Sequence, residues 1–145
     1  MEESAAKGDM NGMNACGARY SAGQGCVKDD AKAASYFKRA SDLGHKYAAN
    51  ELGNCYYDGA GVAKDLATAR TLFKKAADLK FSHGDVNLGQ MMIRGEGGAS
   101  EIGKGFLLVE KAAKEGNKNA IAHLAAVVEL VKDLPMSGIY KKGTR

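Results

Sequence analysis

Glycine recurs in this chain at a fixed interval of 36 residues, and the register needs no gap. Gly17, Gly53 and Gly89 share one position of the ruler, Gly23, Gly59 and Gly95 a second, and Gly25, Gly61 and Gly97 a third. Tyr20 and Tyr56 keep the same spacing, as do Phe37 and Phe73, Ala40, Ala76 and Ala112, and the acids Asp29, Asp65 and Glu101. A period of this length describes one supersecondary unit repeated along an axis. Each unit buries its apolar face against its neighbours, since it cannot bury that face alone.

Within a unit the pattern is helical. Ala48, Leu52 and Tyr56 fall at i, i+4 and i+8, one face of a helix. Leu66, Ala69, Leu72, Phe73, Ala76 and Ala77 form the stripe of a second helix. Between them, Gly59 and Gly61 supply the left-handed backbone that ends the first helix. Asp65 then suits the N-cap of the second, accepting its exposed amides and complementing its dipole; Asp29 repeats the device, and Glu101 does so with a less suitable side chain. Gly17, Gly53 and Gly89 interrupt the first helices, where glycine costs about 1 kcal/mol relative to alanine. Their expected role is close approach of a neighbouring helix, so Gly53→Leu should destabilise by roughly 1–3 kcal/mol or more through overpacking.

The ruler divides residues 1–134 into one solenoid domain: a partial helix over 1–7, repeats 8–43, 44–79 and 80–115, and a closing helix over 116–134, followed by a tail over 135–145. Ile121, Leu124, Val128 and Val131 form one stripe of the closing helix, expected to pack on repeat three. Val127, Leu130 and Leu134 form a second stripe, expected to be covered by a partner, with the tail residues Met136, Ile139 and Tyr140 as the alternative cover.

Composition narrows the function. Twenty-one Lys+Arg against 17 Asp+Glu give a net charge of +4, with the excess after residue 115. A nucleic-acid reader shows a basic face on every element, which this chain lacks. No apolar run approaches the roughly 18 residues of a membrane helix. Three cysteines cannot form a disulfide framework; Cys16 stands at a core leucine position and reads as a buried thiol. His45, His83 and His123 lack metal-ligand spacing, and no nucleophile elbow, zinc-protease or P-loop motif is present. The expectation is a non-enzyme without cofactor or metal.

The unit Ala48-x-x-x-Leu52-Gly53-x-x-Tyr56-x-x-Gly59-x-Gly61-Val62-x-x-Asp65-x-x-x-Ala69-x-x-x-Phe73-x-x-Ala76-Ala77 resembles the Sel-one-like repeat, a relative of the tetratricopeptide repeat. The resemblance spans nearly all of residues 1–131 and is strongest in repeat two. In repeat three Gly98 stands for Val62, and Gly103 and Gly105 interrupt the second-helix pattern. The resemblance implies an all-α, right-handed α-solenoid of stacked antiparallel hairpins, with first helices on a concave face, and a role as adaptor or scaffold for other proteins. One branch of that family joins the two helices of each repeat by a disulfide. The matching positions here, Met13/Ser41, Ala49/Ala77 and Asp85/Ala113, hold no cysteine, so an oxidising compartment is not implied; a cytoplasmic setting is expected, with organelle or complex association as the alternative.

If the tetratricopeptide register transfers, the concave face carries Tyr47, Asn50, Asn54, Tyr57 and Asp58 from repeat two. Repeat three adds His83, Val86, Gln90, Ile93 and Arg94, and repeat one adds Asn11, Asn14, Ala18 and Ser21. Amides can bond a peptide backbone without reading its sequence, while Tyr57 and Ile93 supply anchors. Together with Val127, Leu130 and Leu134 these are the expected protein-binding residues. Protein or peptide partners are expected, with no nucleic acid and no direct membrane insertion. An accessory subunit packed permanently in a larger assembly is the alternative function, and a pentatricopeptide-like RNA reader is a third reading.

Overall fold

The computed structural model describes residues 9–131, with side chains omitted at 127, 130 and 131. Seven helices and no strand occur among the described residues: α1 (Met10–Ala22), α2 (Asp30–Asp42), α3 (Lys46–Asp58), α4 (Leu66–Asp78), α5 (Ser82–Arg94), α6 (Ile102–Lys114) and α7 (Lys118–Val131). Each helix packs on the next in sequence, and α7 also reaches α5. The result is a row of helix hairpins, α1–α2, α3–α4 and α5–α6, closed by α7. None of these helices is long and apolar enough to cross a membrane.

The boundaries follow from the side chains at the helix ends. Asp29 accepts the Lys32 amide at 3.0 Å and Asp65 accepts the Thr68 amide at 3.1 Å, each satisfying an orphan donor of the helix it starts. Glu101 makes no such bond; it pairs instead with Lys104 at 3.0 Å and Arg70 at 3.2 Å. First helices stop at Gly23, Gly59 and Gly95, all left-handed. Two residues on, Gly61 lies against the Asp30 carbonyl at the start of the preceding repeat's second helix. A side chain there would collide with backbone, so this glycine sets the stacking distance between repeats as well as the turn.

The interior is built of three apolar clusters in series. Met13, Cys16, Phe37 and Leu52 anchor the first, Phe73, Leu88 and Met91 the second, and Val86, Val109, Ala112 and Ala120 the third. The helix glycines lie where the two helices of a hairpin meet. A Cβ at Gly17 would stand 2.6 Å from Phe37 Cε1, and one at Gly53 2.6 Å from Phe73 Cε1. In repeat three the contact is backbone to backbone: a Cβ at Gly89 would stand 2.7 Å from the Gly105 oxygen. Gly103 and Gly105 therefore do not interrupt α6, which runs unbroken from Ile102 to Lys114.

Two expectations about the closing helix need revision. Ala120 and Leu124 meet repeat three, but Ile121 and Val128 remain 51% and 49% exposed instead of packing on it. Leu124 is common to the expected and the observed faces, but the inward face of α7 runs through Ala120, one turn before it, and not through Ile121. The side chains of Val127, Leu130 and Val131, the residue Leu134, the N-terminal stub and the tail lie outside the described residues.

Candidate functional site

Along the first helices, i, i+4 and i+7 positions share one face. In α5 this stripe is His83, Asn87, Gln90 and Arg94; in α3 it passes through Asn54 and Asp58. Where the two stripes meet lies a pocket of about 250 Å³, lined by Asn54, Tyr57, Asp58, Asn87, Gln90, Arg94 and Glu96, with Phe73 and Met91 beneath. Five of the expected residues, Asn54, Tyr57, Asp58, Gln90 and Arg94, thus line one concavity.

Two side chains of this pocket are held by neighbours. The Tyr57 hydroxyl donates to the Glu96 carboxylate, 2.9 Å and 3.0 Å from its two oxygens. Desolvation, and then the neighbouring Glu96, raise the phenol's pKa above its ordinary value, so it stays a donor. Arg94 stands 3.9 Å from the same carboxylate. Asn87 Nδ2 donates to Asn50 Oδ1 at 2.9 Å, which fixes the orientation of the Asn87 amide. The loop that carries Glu96 is itself clamped: Arg70, its side chain 13% exposed, donates to the Glu96 and Ala99 carbonyls at 3.2 and 3.0 Å.

The remaining expected residues lie elsewhere. Asn50 is 5% exposed and its oxygen is occupied by Asn87, so it positions a pocket residue and offers no open surface. Val86 is 4% exposed and belongs to the third core cluster. Ile93 is half-buried, and a Cβ at Gly105 would meet its side chain at 2.8 Å; it sits at the α5–α6 seam. In each case a neighbouring element covers the side chain: Asn87 meets Asn50, the cluster of Val109, Ala112 and Ala120 takes Val86, and α6 at Gly105 meets Ile93. Asn11, Asn14, Ala18 and Ser21 of α1 do not border the pocket.

Tyr47 and His83 are exposed but belong to a ladder along the N-terminal ends of the first helices. His45 caps α3 by accepting the Ala48 amide on Nδ1 at 3.2 Å, which leaves Nε2–H to donate to Asn11 Oδ1 at 3.1 Å. Desolvation, with Lys46 adding to it, lowers the His45 pKa. In the next repeat Phe81 takes this position; its ring meets Tyr47 edge-on at 4.8 Å and stacks on His83 at 4.9 Å. Asn117 then repeats the capping role on Ala120 at 3.0 Å and donates to Ser82 Oγ at 2.8 Å.

Sequence reasoning missed Asn87 and Glu96. Asn87 was detectable, being four residues after His83 and three before Gln90 on the same stripe. Glu96 stands in a Gly-Glu-Gly-Gly turn, where no periodicity marks it. Cys16 is buried, as its core position implied. Burial pushes the Cys55 thiol up to about 11, with Glu51 adding to the effect. No group of three potential metal ligands occurs among the described residues.

Comparison with known proteins agrees with this architecture. The Sel1 repeat profile matches residues 11–45, 46–81 and 82–117, well over half of the chain. The structure of c5321, a protective antigen of uropathogenic Escherichia coli strains displaying an SLR fold, superposes with a TM-score of 0.80 at 28% identity, over 82% of this chain and 26% of that one. A Sel1 repeat protein from Oxalobacter formigenes shares the fold with a TM-score of 0.77 at 24% identity, over 82% of this chain and 49% of its own. Helicobacter pylori cysteine rich protein B gives 0.60 at 29% identity, over 64% and 70%. The chain thus spans about a quarter and a half of the first two structures. No curated protein matches it in sequence. Three tandem matches in the register of the 36-residue ruler, on a stack of helix hairpins, place the chain in the Sel1 repeat family, whose repeats generally serve protein–protein interaction.

Proposed function

We propose that this chain is an adaptor or scaffold that holds an extended partner segment along its first helices, centred on the junction of repeats two and three. The observation that carries the reading is the convergence of three amides, Asn54, Asn87 and Gln90, on one 250 Å³ pocket. Each amide offers both donors and an acceptor, which suits a peptide backbone whose N–H and C=O groups both need partners. Tyr57 adds an aromatic wall whose hydroxyl is already satisfied by Glu96. Arg94 and Asp58, of opposite charge, border the opening and favour partners that carry both signs. This reading assigns the chain no catalytic role.

Affinity capture from the native source, with mass spectrometry, tests it. Captured proteins should be lost from a variant with Asn54→Ala, Asn87→Ala and Gln90→Ala together. The same set retained on the stripped variant would refute the site. The alternative, a subunit packed permanently in an assembly, draws support from the exposed Ile121 and Val128 of α7. It predicts concentration-dependent association of the isolated chain, whereas an adaptor remains a stable monomer.

A further inference from the structure

The opposite side of repeat three departs from the internal repeat in a consistent direction. A cavity of about 520 Å³ lies between α4 and α6, with α5 as its base. Leu88, Met92, Leu107 and Leu108 make its apolar lining, and Leu107 is 62% exposed. Lys74, Lys80, Lys104 and Lys111 stand around it.

The chain supplies its own reference for this groove. One period earlier, the positions of Lys80, Lys104 and Leu107 hold Gly44, Thr68 and Thr71. Repeat three has therefore gained two cations and one exposed aliphatic side chain at a single groove, and the one carboxylate it has gained there, Asp85 at the position of Ala49, is paired with Lys111. Lys80 carries a further mark. It is the one non-glycine residue with positive φ among the described residues, at 69°, where Gly44 and Gly116 take 94° and 88°. A lysine in this conformation is strained, and strain kept at one position points to a role outside stability. The carboxylates nearby are already engaged: Asp78 with Lys74 at 2.9 Å and Asp85 with Lys111 at 3.2 Å. Lys104 pairs with Glu101 in the open, 72% exposed, while Lys80 makes no ion pair with a described residue. The groove therefore has positive charge to offer around an apolar base.

We propose that the α4–α6 groove is a second protein-docking site, taking an acidic partner segment that sets one or more carboxylates beside a leucine-like or aromatic anchor. The anchor enters between Leu107, Met92 and Leu88, and the carboxylates meet Lys80 and Lys104. This site lies on other residues than the amide pocket, so one chain could hold two partners at once.

A phage-displayed random peptide library, panned on the intact chain, tests the proposal, with binders remeasured by fluorescence anisotropy. The comparison protein carries Lys80→Gly, Lys104→Thr and Leu107→Thr, which restore the residues of repeat two and remove the strained lysine. Selected sequences should combine Asp or Glu with Leu, Ile or Phe. They should weaken by roughly tenfold or more on the triple variant and by roughly fivefold or less for each lysine alone, and should persist on the amide-stripped variant. The proposal is overturned if no acidic–aliphatic peptide is selected, or if the selected peptides bind the triple variant equally well. It is overturned too if the triple change instead abolishes binding to phosphatidylserine-containing vesicles while leaving peptide binding intact, which would make the groove a lipid site.

Discussion

The glycines buried in the hairpin seams give the sharpest test of the packing. In Gly53→Ala the new methyl would stand 2.6 Å from Phe73 Cε1 and 2.8 Å from Cδ1. Carbon atoms rest comfortably at roughly 3.5–4.0 Å, so the methyl overlaps two ring carbons by about 1 Å. The ring cannot swing clear, because Phe73 is 2% exposed and shares its cluster with Ala69, Leu88 and Met91. Overpacking of this kind costs about 1–3 kcal/mol. Against it stands the helix preference of alanine over glycine, about 1 kcal/mol in the opposite direction. The net expectation is a loss of about 1 kcal/mol, or roughly 3–5 °C in Tm for a chain of this size.

Gly103→Ala isolates the second term. Nothing lies within 4 Å of a Cβ there, so the same chemical change should raise Tm slightly. Far-UV circular dichroism melts of the two variants should therefore move in opposite directions. Adding Phe73→Leu to Gly53→Ala should recover part of the loss, a favourable coupling between touching residues. If Gly53→Ala melts at or above the parent chain, the α3–α4 seam yields freely and the packing role assigned to all three glycines is wrong.

Other consequences can be measured on the same samples. His45 caps α3 through an unprotonated Nδ1 and its pKa is held down by desolvation, so its contribution is full above the ordinary histidine value of about 6.5 and declines as pH falls through the lowered folded value; His45→Asn, copying the Asn117 cap, should flatten part of that slope in pH-dependent melts, while His123, also lowered by desolvation, retains the rest. Asp65→Ala removes the bonds to the Thr68 amide and hydroxyl at 3.1 and 2.7 Å and should lower the midpoint of urea unfolding. Arg70→Met deletes three bonds to the repeat-three turn and should cost about 1–2 kcal/mol, with faster hydrogen exchange confined to residues 95–101; uniform exchange would refute the clamp. Tyr57→Phe should leave the aromatic packing and lower Tm only slightly, since a partly exposed hydrogen bond contributes about 0.5–1.5 kcal/mol.

The fold was legible because period, helix stripe and capping residue all point the same way. Gly59 and Asp65 each carry a local signal, and both do in the structure what that signal implies. The candidate site was legible only in part. A repeat pattern tells which helix faces outward, but not which turns of that face the next repeat covers. Asn54 and Gln90, which line the pocket, lie one turn beyond Asn50 and Val86, which neighbouring elements bury. The Tyr57–Glu96 and Arg70–Ala99 contacts join a helix to a turn 39 and 29 residues away. Contacts of that kind have no periodic signature and depend on how closely repeats stack.

Departures from the period carry the remaining information, because each must be matched by a change elsewhere in the same unit. Repeats one and two set a glycine of the first helix against a phenylalanine of the second, Gly17 on Phe37 and Gly53 on Phe73. Repeat three has Val109 in place of that ring, and Gly105 in place of Ala33 and Ala69. A valine alone would leave a void where the ring had been, at a cost that grows with cavity volume. The glycine removes the Cβ that would otherwise hold α5 and α6 apart, so Gly89 and Gly105 meet through their backbones and Val109 still ends 1% exposed. Read as decay of a motif, these substitutions suggest a weak helix; read together, they describe a hairpin that has closed by a different route. The same logic separates Lys80 from its neighbours: its strained backbone has no compensating contact in the core, and the groove beside it is where the chain has added charge and apolar surface together.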